Sequence, residues 1–160
     1  MKNRTAFLFV FSFFIFPFFS REANAQSKNA NEVFPKGEAA PAKNFTGKVW
    51  LYPLVADDKT FNLVMGSVTF EKGARSNWHS HPAGQILLVT NGTGYHQQRG
   101  KPIEVIKKGD VIKSLPGVEH WHGASKQSAM THVSVNPNTE NSAVTWLLPV
   151  TDLEYNNLKN

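Results

Sequence analysis

Residues 73–92 read GARSNWHSHPAGQILLVTNG. His79 and His81 are two apart, so on an extended strand both side chains leave the same face. Gln85 lies four residues beyond His81 and keeps that parity, with Pro82 and Gly84 as a source of local irregularity. Farther along, residues 120–123 read HWHG, a second pair at the same spacing with Trp121 on the opposite face. Around these blocks the chain is a series of short apolar runs: Phe45–Leu54, Phe61–Phe70, Gln85–Thr90, Tyr95–Gln98, Ile103–Ile106, Val111–Leu115, His120–Gly123, Met130–Val135 and Val144–Leu148. Turn residues separate them, among them Asn91-Gly92, Arg99-Gly100, Gly109-Asp110 and Pro116-Gly117. Short strands at spacings of about ten residues with such punctuation specify an all-β sandwich or barrel. Only residues 151–157 read as helical, with Thr151 or Asp152 as N-cap.

All six histidines fall between His79 and His132. In the Met130–Val135 run, His132 and Ser134 share one face, and Thr131, Val133 and Val135 the other. Histidines paired on two inward faces need either separately satisfied imidazoles or one shared cation. The cation is the cheaper solution, because neutral imidazole is a good ligand for divalent transition metals. His96, beside Gln97 and Gln98, reads instead as a surface or hydrogen-bonded core histidine. The chain has no cysteine, which excludes disulfides, thiol catalysis and Cys-based zinc sites.

The N-terminal segment has a different character. Eight of the 12 phenylalanines lie between Phe7 and Phe19, after Lys2 and Arg4 and before Ala23 and Ala25. A basic start, an apolar run and an A-x-A site form a secretory signal, expected to be removed after Ala25. The run is too short and too interrupted by Ser12 and Pro17 for a stable membrane span. Residues 26–43 are expected to be a flexible leader and 44–157 the single folded domain, exported to the periplasm or secreted. Cleavage removes Lys2, Arg4, Arg21 and Glu22 and lowers the formal charge from +5 to +3. No Lys/Arg cluster remains to mark a nucleic-acid partner.

The spacing Gly73, His79-x-His81, Gln85, Gly92 resembles the first motif of the cupin superfamily, with glutamine in place of the usual glutamate. Gly109, Pro116, Gly117 and His120 resemble its second motif, although the proline is one place late and Ala124 stands where asparagine is often found. The resemblance implies a small antiparallel jelly-roll barrel with one metal ion in its mouth, held by His79, His81, Gln85 and His120. The blocks WHSHPAGQ (78–85), HWHG (120–123), AMTH (129–132) and VTDLEY (150–155) tighten the match. They resemble small bacterial cupins that act as manganese-dependent (R)-selective hydroxynitrile lyases, the (R)-mandelonitrile lyases, from about Phe45 to Tyr155.

This resemblance implies a small-molecule cyanohydrin substrate and one divalent ion, manganese first, with iron, nickel or zinc also compatible with the donors. Three imidazoles and an amide are all neutral, so the ion keeps its charge and acts as a strong Lewis acid on an alcohol or carbonyl. His122 is the expected base and His132 the second proton carrier. Val68, Gly66 and Thr131 are expected beside the substrate, and Trp78 and Trp121 in packing outside the pocket. A homo-oligomer, dimer or tetramer, is expected by analogy. A metal-dependent cupin dioxygenase or oxidoreductase and a non-catalytic ligand-binding cupin of the cell envelope are the alternatives from other classes.

Overall fold

A computed structural model describes residues 32–141 and 143–158; the expected export signal and the start of the leader lie outside them. Twelve strands are present among the described residues: β1 (Glu38–Ala39), β2 (Phe45–Thr46), β3 (Val49–Asp58), β4 (Leu63–Phe70), β5 (Arg75–Ser76), β6 (His79–Ser80), β7 (Gln85–Gln98), β8 (Glu104–Lys107), β9 (Val111–Ser114), β10 (His120–Ala124), β11 (Met130–Pro137) and β12 (Thr145–Trp146). All pair antiparallel, in the order β1-β3-β4-β11-β7-β10-β5-β2, with β8 and β9 also on β7, β6 on β10 and β12 on β6. The sheet curls into an all-β half-barrel, as the strand spacing predicts. Glu38 and Ala39 sit opposite Leu51 and Trp50, so part of the stretch expected as leader is sheet.

Strand β7 joins the two halves. Its first part, Ile86 to Gly92, pairs with β11, and its last part, Gly94 to Gln98, with β10. Asn91-Gly92 is therefore not the turn the sequence predicts; the runs Gln85–Thr90 and Tyr95–Gln98 are one strand of 14 residues. Gly92 has φ +73°, and a Cβ there would lie 1.9 Å from the Ala129 carbonyl oxygen. The register also shifts between Thr131 and His132. A glycine in a left-handed conformation at a bulge bends the strand without ending it.

Alternation along the strands divides the interior in two. Val49, Val68, Phe70, Val89, Ile106 and Met130 pack in one cluster. Trp78, Tyr95, Ile103, Trp121, Val150 and Tyr155 pack in the other, on the far face of the histidine strands, where the parity of Trp78 and Trp121 puts them. The predicted helix is a single turn, α1 (Asp152–Tyr155), capped by Thr151 through a reciprocal bond with Glu154. Arg75 ties it down, donating to the Val150 carbonyl at 3.0 Å and to Asp152 at 2.6 Å.

Candidate metal centre

His79 on β6 and His120 on β10 are directly paired across the sheet, and their rings approach to 4.4 Å. His81 follows β6, with its ring 5.2 Å from His79 and 5.6 Å from His120. Two residues along β10, His122 points to the same face, 5.1 Å from His79. Gln85 opens β7 and reaches His120, its Oε1 at 3.0 Å from Nε2. All five side chains are buried.

The backbone sets the tautomer of three of these rings. A carbonyl can only accept, so each ring nitrogen facing one carries the proton. His79 Nδ1 donates to Asn77 at 2.9 Å, His120 Nδ1 to Val118 at 2.9 Å, and His81 Nδ1 to Ala143. Each neutral ring then presents an Nε2 lone pair to the interior, the arrangement that orients imidazoles toward a metal. Burial, reinforced by neighbouring histidines, holds His79 well below the ordinary imidazole range and His120 at about 4. Burial lowers His81 as well.

With Gln85 in this orientation, neutral rings create a conflict that a bound cation resolves. His120 Nε2 and Gln85 Oε1 are both acceptors, yet they face each other at 3.0 Å. No proton is available to sit between them while His120 donates Nδ1–H to Val118. His81 Nε2 is buried with no hydrogen-bond partner among the described residues. Buried acceptors left unsatisfied are costly, and a divalent transition ion suits imidazole and amide oxygen donors. The residues present fit such an ion.

His122 does not stand apart from this group. Among the described residues, the cluster of donor atoms within 4.8 Å of one another is His79, His120 and His122. His81, an expected ligand, is not part of it, and His122, the expected base, is. Parity along β10 explains this, because it aims His120 and His122 at the same ring of β6. His132 backs His122, with Nε2 at 3.2 Å from His122 Nδ1, and its Nδ1 has no hydrogen-bond partner among the described residues. Burial pushes His132 down to about 3 and His122 well below the ordinary value. His96 is hydrogen-bonded core, as its setting suggests, with Ser114 at 3.2 Å and Glu104 at 3.4 Å.

A cavity of about 320 Å³ opens over these rings. Val68 and Ser134 line it; Gly66 does not, although a Cβ there would lie 3.8 Å from Ser134 Oγ. Thr131 is not brought there: its Oγ1 meets Thr69 Oγ1 at 3.2 Å on the other face of β11. Phe45 and Trp146, packed edge to face at 5.4 Å, form much of the apolar wall. Their long-range pairing with the histidines has no local signal in the sequence. Asn136 was also missed, although it continues the His132, Ser134 alternation. Its Oδ1 accepts from Gln85 Nε2 at 3.1 Å. Among the described residues, no Asp, Glu, Lys or Arg lines the cavity.

The chain is also similar to known proteins. Residues 66–136 match the cupin domain family. Over 115 residues the chain is 45% identical to an (R)-mandelonitrile lyase from Granulicella tundricola, covering 72% of this chain and 88% of that protein. It is also similar to the crystal structure of a cupin-like protein from Thermotoga maritima, with TM-score 0.75 and 44% identity over 78% of this chain and 94% of that one. A cupin 2 conserved barrel domain protein from Rhodopseudomonas palustris has TM-score 0.58 and 19% identity, covering 72% of this chain and 77% of that one. That last likeness concerns the fold alone.

Proposed function

The chain belongs to the cupin family, and from that premise we propose that it is a metal-dependent lyase cleaving cyanohydrins such as (R)-mandelonitrile to an aldehyde and hydrogen cyanide. The observation that carries the reading is an electron-rich site of neutral donors: acceptors facing acceptors, roofed by a cavity that no charged side chain lines among the described residues. Such a lining suits an uncharged alcohol or carbonyl better than a carboxylate or phosphate substrate, which would call for a cationic partner. The similarity to a protein named (R)-mandelonitrile lyase supports the same substrate class.

A divalent ion, manganese first, held by His79, His81, Gln85 and His120 would supply positive charge beside the substrate hydroxyl and lower its pKa. The protein's own residues do the rest. Phe45, Leu51, Val68 and Trp146 hold the organic group and exclude water. His122 takes the hydroxyl proton at the ring nitrogen not engaged with His132. For this its Nδ1 carries a proton and donates to His132 Nε2 at 3.2 Å. Loss of the proton lets the carbon–carbon bond break to aldehyde and cyanide, and the same nitrogen returns the proton to cyanide. Low basicity imposed by burial makes protonated His122 a ready donor for that second step.

Metal-loaded protein mixed with racemic mandelonitrile should raise benzaldehyde absorbance above a metal-free control, consuming the (R) enantiomer first. No difference from the control would end the lyase reading.

A further inference from the structure

Gln85 differs chemically from the histidines around it. An imidazole fixed at Nδ1 can only present Nε2, whereas a primary amide carries an acceptor at one end and a donor at the other. A half-turn about its last torsion exchanges them. Only the oxygen binds a cation. In the turned state the NH2 would donate to the His120 Nε2 lone pair and remove the acceptor–acceptor conflict. Without metal, the His120 side of the site therefore favours the turned orientation, opposite to the one the structure shows.

Asn136 opposes that turn for as long as it presents its oxygen to Gln85, since a half-turn of its own amide would offer NH2 to a turned Gln85. Asn136 Oδ1 accepts from Gln85 Nε2 at 3.1 Å, and with Gln85 5% and Asn136 8% exposed little water can replace the bond. We propose that Asn136 is a positioning residue that selects the metal-binding orientation of Gln85 by accepting its NH2, and that without this acceptor the amide turns and closes the site to the ion. The inference rests on the metal-centre reading of the site and is independent of the lyase chemistry.

Calorimetric titration of Mn(II) and Co(II) into metal-free wild type, Asn136→Leu and Asn136→Asp tests it, with thermal midpoints of the metal-free proteins measured alongside. Leucine is similar in size and has no acceptor; aspartate is isosteric and only accepts. Leucine should lower affinity by about 10- to 100-fold, as loss of a ligand's outer partner does. Its metal-free midpoint should not fall, because Gln85 gains the bond to His120. Aspartate should restore wild-type affinity or better, together with the wild-type Co(II) visible spectrum. Asn136→Ala should show the same loss of affinity if the leucine variant does not fold. A leucine or alanine variant that binds as wild type overturns the proposal, as does an aspartate variant that binds as weakly as leucine. A leucine midpoint that drops with the affinity marks a merely structural residue and also overturns it. Wild type that binds no ion defeats the metal-centre reading itself, a result distinct from all of these.

Discussion

The two faces of β10 are built from adjacent residues and have opposite characters. Trp121 points to one side, where polar groups around the aromatic cluster find partners. Its Nε1 donates to Gln97 at 2.8 Å, Trp78 Nε1 to Glu154 at 3.2 Å, and the Tyr155 hydroxyl to the Ala124 carbonyl at 2.8 Å. His120 and His122 point to the other side, where His81 Nε2 and His132 Nδ1 have no hydrogen-bond partner among the described residues and two acceptors face each other. One face is finished by folding and the other is not. Folding alone gives no reason to bury unsatisfied imidazoles, so the difference separates the face that holds the fold from the face that binds something.

Substitutions on each face should break different properties. The largest effect is expected from His79→Ala, which should abolish both bound ion and cyanohydrin turnover, read by elemental analysis and benzaldehyde absorbance. His122→Ala should cut turnover by about 10²- to 10⁴-fold, the usual worth of a positioned base, with the ion retained. Loss of the ion as well would move His122 among the ligands, where its closeness to His79 and His120 already puts it geometrically. On the finished face, Trp121→Ala should cost about 3–5 kcal/mol of unfolding free energy in urea. Ion affinity should change little under conditions where that variant stays folded.

Acid should also distinguish the faces. His120 and His132 are held at about 4 and about 3, whereas unfolded histidine titrates near about 6.5. Between these values the unfolded chain binds protons that the folded chain does not. Metal-free protein should therefore lose stability as pH falls from about 6.5 through the folded values. The loss is on the order of 2 kcal/mol per histidine at about pH 5, read from the shift in urea midpoint. Trp121→Ala should leave that pH slope unchanged. The smallest effect expected is that of Tyr155→Phe, which removes one buried hydrogen bond for about 1–2 kcal/mol and leaves ion binding alone.

What was legible in the sequence follows from how local each signal is. The His79/His81 and His120/His122 pairs declare a common face through strand parity alone, and Trp121 declares the opposite one. The sequence narrows the cap of the last helical turn to Thr151 or Asp152, and the reciprocal bond with Glu154 decides for Thr151. Gly92 misled because a left-handed glycine serves a bulge as well as a turn, and only the approach of Ala129 decides which. Thr131 was expected in the cavity, yet alternation on β11 sends it toward Thr69. Phe45 and Trp146 converge with the histidines through pairings of β2 with β5 and β12 with β6, too short to leave a local pattern. Asn136 was within reach of the His132, Ser134 alternation, but its role depends on meeting Gln85 from a strand far along the chain.

The facing lone pairs of His120 and Gln85 are the centre of the metal reading, and titration of Mn(II) into metal-free protein tests it most directly. One ion should bind per chain, and the thermal midpoint should rise with ion concentration, because an ion bound only by the folded state stabilises it. Absence of binding heat together with an unmoved midpoint would contradict the metal centre.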